Sequence, residues 1–219
     1  MLQAVLFDLD GTLANTDPIH LKVWREILEP HGYTVDDAFF QAHISGRLNE
    51  HIITEFLPQL SAAEGAQLVV DKEAQFRELA ASDLQRMPGF DKLYDWIKRQ
   101  GLNTAIVTNA PRTNAEFVLK LLQLESAFDF VLLAGELPRS KPDPLPYVTA
   151  LERLAVSAAD AIAFEDSKAG IQSAVAAQIP TVGVASTHDP EVLYSYGASL
   201  VIEQFTDTRL QKWGLLQPH

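Results

Sequence analysis

Ala4-Val5-Leu6-Phe7 is an apolar run with no polar alternation, and it ends in Asp8-Leu9-Asp10-Gly11. A strand with one wet face alternates, so an unbroken apolar run fits a parallel strand covered on both sides. Such a strand needs long crossover connections, which put helices on both faces of the sheet. Asp8 and Asp10 then lie at its carboxyl end, where open α/β sheets form their ligand crevice, and Gly11 permits the sharp turn that lets both acids face it. Two carboxylates held together repel unless a cation or a proton shields them. Taken alone, the stretch also reads as an ordinary acidic turn after a strand.

The pattern then changes from strand to helix. Asp17-Pro18 reads as an N-cap followed by the first helical residue. Ile19, Val23, Trp24, Ile27 and Leu28 recur at helical spacing, and Gly32 is placed to end the segment. Residues 36–43, 49–57 and 61–80 read as three more helices, the last opened by Ser61 and Glu64 as a capping box. After Met87-Pro88-Gly89, short apolar strands at 104–108, 130–134, 161–165, 181–184 and 200–202 alternate with helices at 90–99, 113–122, 145–154 and 169–177. That alternation predicts right-handed βαβ crossovers. The expected fold is α/β: a doubly wound, Rossmann-like parallel sheet as core domain (residues 1–16 and 83–219) with an inserted α-helical cap domain (residues 17–82).

Composition narrows the function. Against 17 Lys and Arg the 219 residues carry 29 acids, a formal charge of −12, so nucleic acid and anionic membrane are not expected partners. Small anions stay open, because one metal ion and one lysine can make a positive site inside an acidic protein. The absence of Cys excludes thiolate catalysis, disulfides and zinc-thiolate sites. No apolar stretch is long enough to span a bilayer, and no basic segment with an apolar run precedes the first strand, from which a cytoplasmic location is expected. Oligomeric state is not legible.

Further chemistry-bearing residues fall at the later strand ends. Thr108-Asn109 closes one strand just before Pro111 opens a helix, a place that offers an anion donors and a helix dipole, although Thr-Asn there also serves as turn chemistry. Ser140-Lys141-Pro142-Asp143-Pro144 stiffens the backbone around a single lysine, which alone also reads as a solvated loop residue. Glu165-Asp166-Ser167 ends another strand and alone also reads as a helix cap. In a doubly wound sheet these segments converge. Asp8, Asp10, Glu165 and Asp166 then supply hard oxygen ligands suited to Mg²⁺, and Thr108, Asn109 and Lys141 supply donors and charge for a phosphate.

The motifs Asp8-Leu9-Asp10-Gly11-Thr12, Thr108-Asn109, Ser140-Lys141-Pro142-Asp143 and Glu165-Asp166-Ser167-Lys168-Ala169-Gly170 resemble, in order and spacing, the four motifs of the haloacid dehalogenase-like hydrolases. The helical insert resembles the small cap of the subgroup that holds β-phosphoglucomutase and many sugar-phosphate phosphatases. The resemblance implies that Asp8 is the nucleophile that forms an aspartyl-phosphate and that Asp10 is the acid and base. It implies Mg²⁺ held by Asp8, the Asp10 backbone carbonyl and Asp166, with Glu165 as a further or water-mediated ligand. Thr108, Asn109 and Lys141 hold the phosphoryl group.

True dehalogenases lack the second acid of the first motif, so Asp10 points away from dehalogenation. Thr16 and His20 stand where β-phosphoglucomutase has a threonine and a histidine tied to cap closure, although His20 also reads as a polar face residue of the first cap helix. The cap loop departs from the mutase pattern: Ser45 and Asn49 flank Gly46, and the arginine is Arg47, which also reads as a surface residue. A phosphatase acting on a small phosphorylated, sugar-like metabolite is therefore the leading expectation. A phosphomutase is the alternative, and a non-catalytic phosphometabolite-binding protein the third reading. The sequence does not name the substrate.

Overall fold

In the computed structural model, which describes residues 1–82, 84–186 and 188–216, Ala4–Phe7 is the strand β1 at the centre of a six-stranded sheet. The others are β2 (Asn103–Thr108), β3 (Phe130–Leu133), β4 (Ala161–Glu165), β5 (Thr181–Val184) and β6 (Leu200–Ile202), in the order β3-β2-β1-β4-β5-β6. Every pairing is parallel, as the unalternating apolar runs predict. The chain builds outward from β1 on one side and then returns to its other side, so the topological switch point lies between β1 and β4. There Phe7 pairs with Phe164, which sets Asp8 beside Glu165.

Side chains of β1 serve two cores, and all four are fully buried. Val5 and Phe7 pack on the face covered by α5 (Phe90–Gln100) and α6 (Arg112–Leu121). Phe7 stacks on Phe164 at 5.1 Å and meets Phe90 edge-on at 5.7 Å. Ala4 and Leu6 pack on the opposite face, covered by α7 (Leu145–Leu154) and α8 (Lys168–Ala176). Truncating Phe7 to Ala would cost about 3–5 kcal/mol from the cavity it leaves.

Between β1 and α5 the chain is helical: α1 (Asp17–Leu28), α2 (Asp37–His43), α3 (Asn49–Phe56) and α4 (Ala62–Ala80). These share a core of their own built on Trp24, Leu28, Phe40, Ile52 and Phe56, while Phe76 and Ala80 at the base of α4 join the main core. Both crossings meet: the Met87 N–H donates to the Leu13 carbonyl at 2.7 Å, and Ala14 bridges Arg86. The expected boundary at 82/83 falls next to residue 83, which lies outside the described residues.

Several ends differ from the sequence reading. Thr16, not Asp17, is the N-cap of α1, so Asp17 enters the first turn. That helix stops at Leu28, and a 3₁₀ turn (Glu29–His31) carries the chain to Gly32 at φ 89°. The strand β3 ends one residue early because Ala134–Glu136 winds into a 3₁₀ turn. The Ser61/Glu64 capping box is formed as expected. The short helix α9 (Pro190–Ser195) and the 3₁₀ segment Thr208–Trp213 had too few periodic residues to be predicted. Among the described residues no helix is long and apolar enough to cross a membrane.

Candidate active site

Lys141 organises the floor of the crevice. Its ammonium is buried and donates to Asp8 Oδ1 at 2.6 Å, Glu165 Oε1 at 2.5 Å and the Val107 carbonyl at 2.7 Å, which uses all three of its protons. Burial works against the charged amine, but the carboxylates of Asp8 and Glu165 outweigh it and raise its pKa, so the ammonium stays charged. Tyr147 Oη also donates to Glu165 Oε1, at 2.6 Å, and burial followed by the adjacent Glu165 and Asp8 charges pushes its hydroxyl up. For Asp8 burial dominates even over Lys141, and its carboxyl is raised well above the usual range.

Asp166 lies opposite. Its Oδ1 accepts from Thr12 Oγ1 at 3.0 Å. Burial, then the charges of Asp17, Asp8 and Glu165, raise its carboxyl. Gly11, at φ 78°, packs against this carboxylate so closely that a Cβ would lie 2.1 Å from Oδ2. Glycine is thus required twice over, by backbone conformation and by space. Asp166 Oδ2 and Glu165 Oε2 are buried without a hydrogen-bond partner. Asp8, Glu165 and Asp166 each bring a carboxylate oxygen within 4.8 Å of the others. Unpaired buried oxygens and carboxyls pushed up by burial are the donor set and the electrostatics that a hard divalent cation would relieve, so the residues fit such an ion. Ser167, not either acid, caps α8, its hydroxyl accepting from the Gly170 N–H at 3.1 Å.

A cavity of about 360 Å³ separates these strand ends from the helical block. Asp8, Asp10, Thr108, Asn109, Lys141 and Asp166 line it from the sheet side, and His20, Gly46 and Arg47 from the helical side. The Thr108 hydroxyl accepts from the Ala110 N–H at 2.9 Å, so it serves the turn and retains its own proton to donate. Asn109 Nδ2 donates to the Gly46 carbonyl at 2.8 Å, tying the loop after α2 to the sheet. Gly46, at φ 72°, lies against Ser167 with no room for a side chain. Arg47 is held by Glu55 Oε2 and the His43 carbonyl, both at 2.7 Å.

Asp10 faces His20, whose Nε2 is 3.9 Å from Oδ1, an ion-pair distance beyond hydrogen-bond reach. Burial alone would raise the Asp10 carboxyl, but the nearby His20, Thr16 and Lys72 outweigh it and hold it below the usual range.

The sequence reading missed Lys72. It is buried, its Nζ lies 3.0 Å from His20 Nδ1 and 2.8 Å from Glu73 Oε1, and it lines the cavity. Asn49 Nδ2 donates to Glu73 Oε1 at 2.5 Å, and Asn114 of α6 donates to Glu73 Oε2. A signal was present: Lys72 occupies the same helical stripe as the buried Phe76 and Ala80, and a lysine in an apolar stripe needs a partner.

A family model described as haloacid dehalogenase-like hydrolase matches residues 5–184. The chain is 30% identical to validoxylamine A 7'-phosphate phosphatase of Streptomyces hygroscopicus subsp. limoneus, over 95% of this chain and 97% of that one. It is 31% identical to a phosphorylated carbohydrates phosphatase of Thermotoga maritima, over 92% and 94% of the two chains. The solved structure of β-phosphoglucomutase from Clostridium difficile superposes with a TM-score of 0.84 over 98% of this chain and 96% of that one, and at 24% identity that likeness speaks for the fold.

Proposed function

The chain belongs to the haloacid dehalogenase-like hydrolases and is a phosphoric monoester hydrolase, and on that premise we propose that it is a Mg²⁺-dependent phosphatase that removes phosphate from a small, sugar-like metabolite through an aspartyl-phosphate on Asp8. The observation that carries this reading is the buried Lys141, which binds Asp8 Oδ1 at 2.6 Å beside two carboxylates with unpaired oxygens, on the floor of the cavity.

Asp8 attacks phosphorus as the bond to the leaving oxygen breaks, and Asp10 gives that oxygen its proton. Water then attacks the phosphoryl group, Asp10 takes its proton, and the bond to Asp8 breaks. Lys141 aligns the Asp8 carboxylate and balances charge on the phosphoryl oxygens, while Thr108 and Asn109 position the group. Mg²⁺, which Asp8, Asp166, the Asp10 carbonyl and Glu165 would hold, supplies charge that offsets repulsion between an anionic nucleophile and an anionic phosphate. Residues 17–82 act as a cap domain, and His20, Gly46 and Arg47 face the rest of the substrate. The Asn109–Gly46 hydrogen bond supports closure, and closure excludes water during attack. Mg²⁺-dependent phosphate release from p-nitrophenyl phosphate and a panel of phosphorylated carbohydrates, lost in Asp8→Asn, tests the reading.

A second reading, a phosphomutase, gains one observation: Lys72 brings into the cavity a further cation beside Arg47 of the cap loop. Glu73 matches that charge at 2.8 Å, which leaves it committed. A coupled assay for conversion of glucose 1-phosphate to glucose 6-phosphate separates the two.

A further inference from the structure

We propose that this enzyme selects phosphomonoesters whose remaining part is hydroxylated and uncharged, and that Glu136 enforces the choice by occupying Arg112 at the cavity mouth. The inference rests on the phosphatase reading and concerns what lies beyond the transferred phosphate. Among the described residues lining the cavity, the lysines and arginines are Arg47, Lys72, Arg112 and Lys141. Lys141 belongs to the reacting group. Each of the other three is matched by a carboxylate: Lys72 by Glu73 at 2.8 Å, Arg47 by Glu55 at 2.7 Å, and Arg112 by Glu136 at 2.8 Å, with Glu116 of its own helix further off at 3.8 Å.

Away from the catalytic floor Glu50, Glu73 and Glu136 line the cavity and Glu55 stands against Arg47, so these acids outnumber the three cations there. A second phosphate or a carboxylate on the substrate would enter a region already negative. To gain a cation it would have to displace a carboxylate that remains in or beside the same space. At Lys72 that would strand the buried Glu73. Arg112 is the weak point, because its two-pronged bond to Glu136 is solvent-accessible, with side chains 60% and 55% exposed. Glu136, whose bond is close and two-pronged where that of Glu116 is a single exposed contact at 3.8 Å, therefore sets how readily a distal anion finds this arginine. Trp24, Phe40, Ile44 and Ile52 give the remaining wall an apolar character, and Asn49 adds an amide, which suits a carbon frame bearing hydroxyls.

Glycerol phosphate and phosphoglycerate form a matched pair in which a hydroxymethyl group is exchanged for a carboxylate, and p-nitrophenyl phosphate serves as the reference. The expected result is a kcat/KM for glycerol phosphate at least about tenfold above that for phosphoglycerate, and a hexose monophosphate likewise above its bisphosphate. In Glu136→Gln the phosphoglycerate to glycerol phosphate ratio rises about tenfold, and in Glu136→Gln/Arg112→Gln it falls back. Both side chains are more than half exposed, so the variants fold. Equal or preferred turnover of the carboxylate or bisphosphate, or a ratio unmoved by Glu136→Gln, overturns the proposal while p-nitrophenyl phosphate is still hydrolysed. Loss of all turnover in the wild-type protein, p-nitrophenyl phosphate included, overturns the phosphatase reading and this proposal with it.

Discussion

Replacing Lys141 by Met removes the cation that Asp8 and Glu165 share and leaves two carboxylates buried side by side. Removing one partner of a buried ion pair costs about 3–5 kcal/mol when the stranded charge cannot reach water. For a chain of 219 residues, that corresponds to a loss in Tm of about 6–20 °C. The loss is pH-dependent in a fixed sense. Asp8 already sits above the ordinary aspartate value of 3.8 because of its burial, and removing the ammonium raises it further. A carboxyl with a raised folded-state pKa binds protons more tightly in the folded protein, so stability falls as pH climbs from that ordinary value through the raised one. The variant's deficit against the wild type should therefore be smaller at about pH 5 and grow toward about pH 8 as the stranded carboxyl ionises. Urea titrations of the metal-free proteins at both pH values measure the difference. An equal loss at both, or a loss under about 1 kcal/mol at the higher pH, would refute the assignment of Lys141 as the buried counter-ion.

Three further outcomes follow from the same geometry. Asp8→Asn keeps the side chain's shape but cannot attack phosphorus, so it should fold with unchanged circular dichroism and show no turnover above background with p-nitrophenyl phosphate. Asp10→Asn should lower kcat about 100-fold to 10,000-fold, while calorimetric titration finds Mg²⁺ affinity changed far less, because the backbone carbonyl is retained. Because burial raises the Asp8 and Asp166 carboxyls, the gain in Tm on adding Mg²⁺ should grow from about pH 5 to about pH 8, and a gain that does not vary with pH would contradict their role as ligands.

The parts of this molecule legible in its sequence are those where chemistry contradicts local environment. Acids at Asp8, Glu165 and Asp166 end strands that are otherwise apolar, and the sheet brings all three within 4.8 Å. Lys141 was legible because prolines surround it, although its three bonds to two carboxylates and a carbonyl were not. Parallel pairing followed from the runs without alternation in β1, β2 and β4. The partners of Lys72 and Glu73 stayed hidden because they come from afar, His20 from 52 residues away and Asn114 from 41, on helices whose relative placement no local pattern encodes. The bond from Asn109 to Gly46 was equally out of reach: it joins a turn after β2 to a loop after α2, and depends on how the helical block sits over the sheet.

The central claim is that Asp8 carries the phosphoryl group. Acid quenching during turnover of a carbohydrate phosphate, followed by borohydride reduction and peptide mass spectrometry, reads this directly, since reduction converts an aspartyl-phosphate to homoserine. Homoserine at position 8, dependent on both substrate and Mg²⁺, is the predicted result. Turnover without any conversion at position 8, or conversion at another aspartate, would contradict the account.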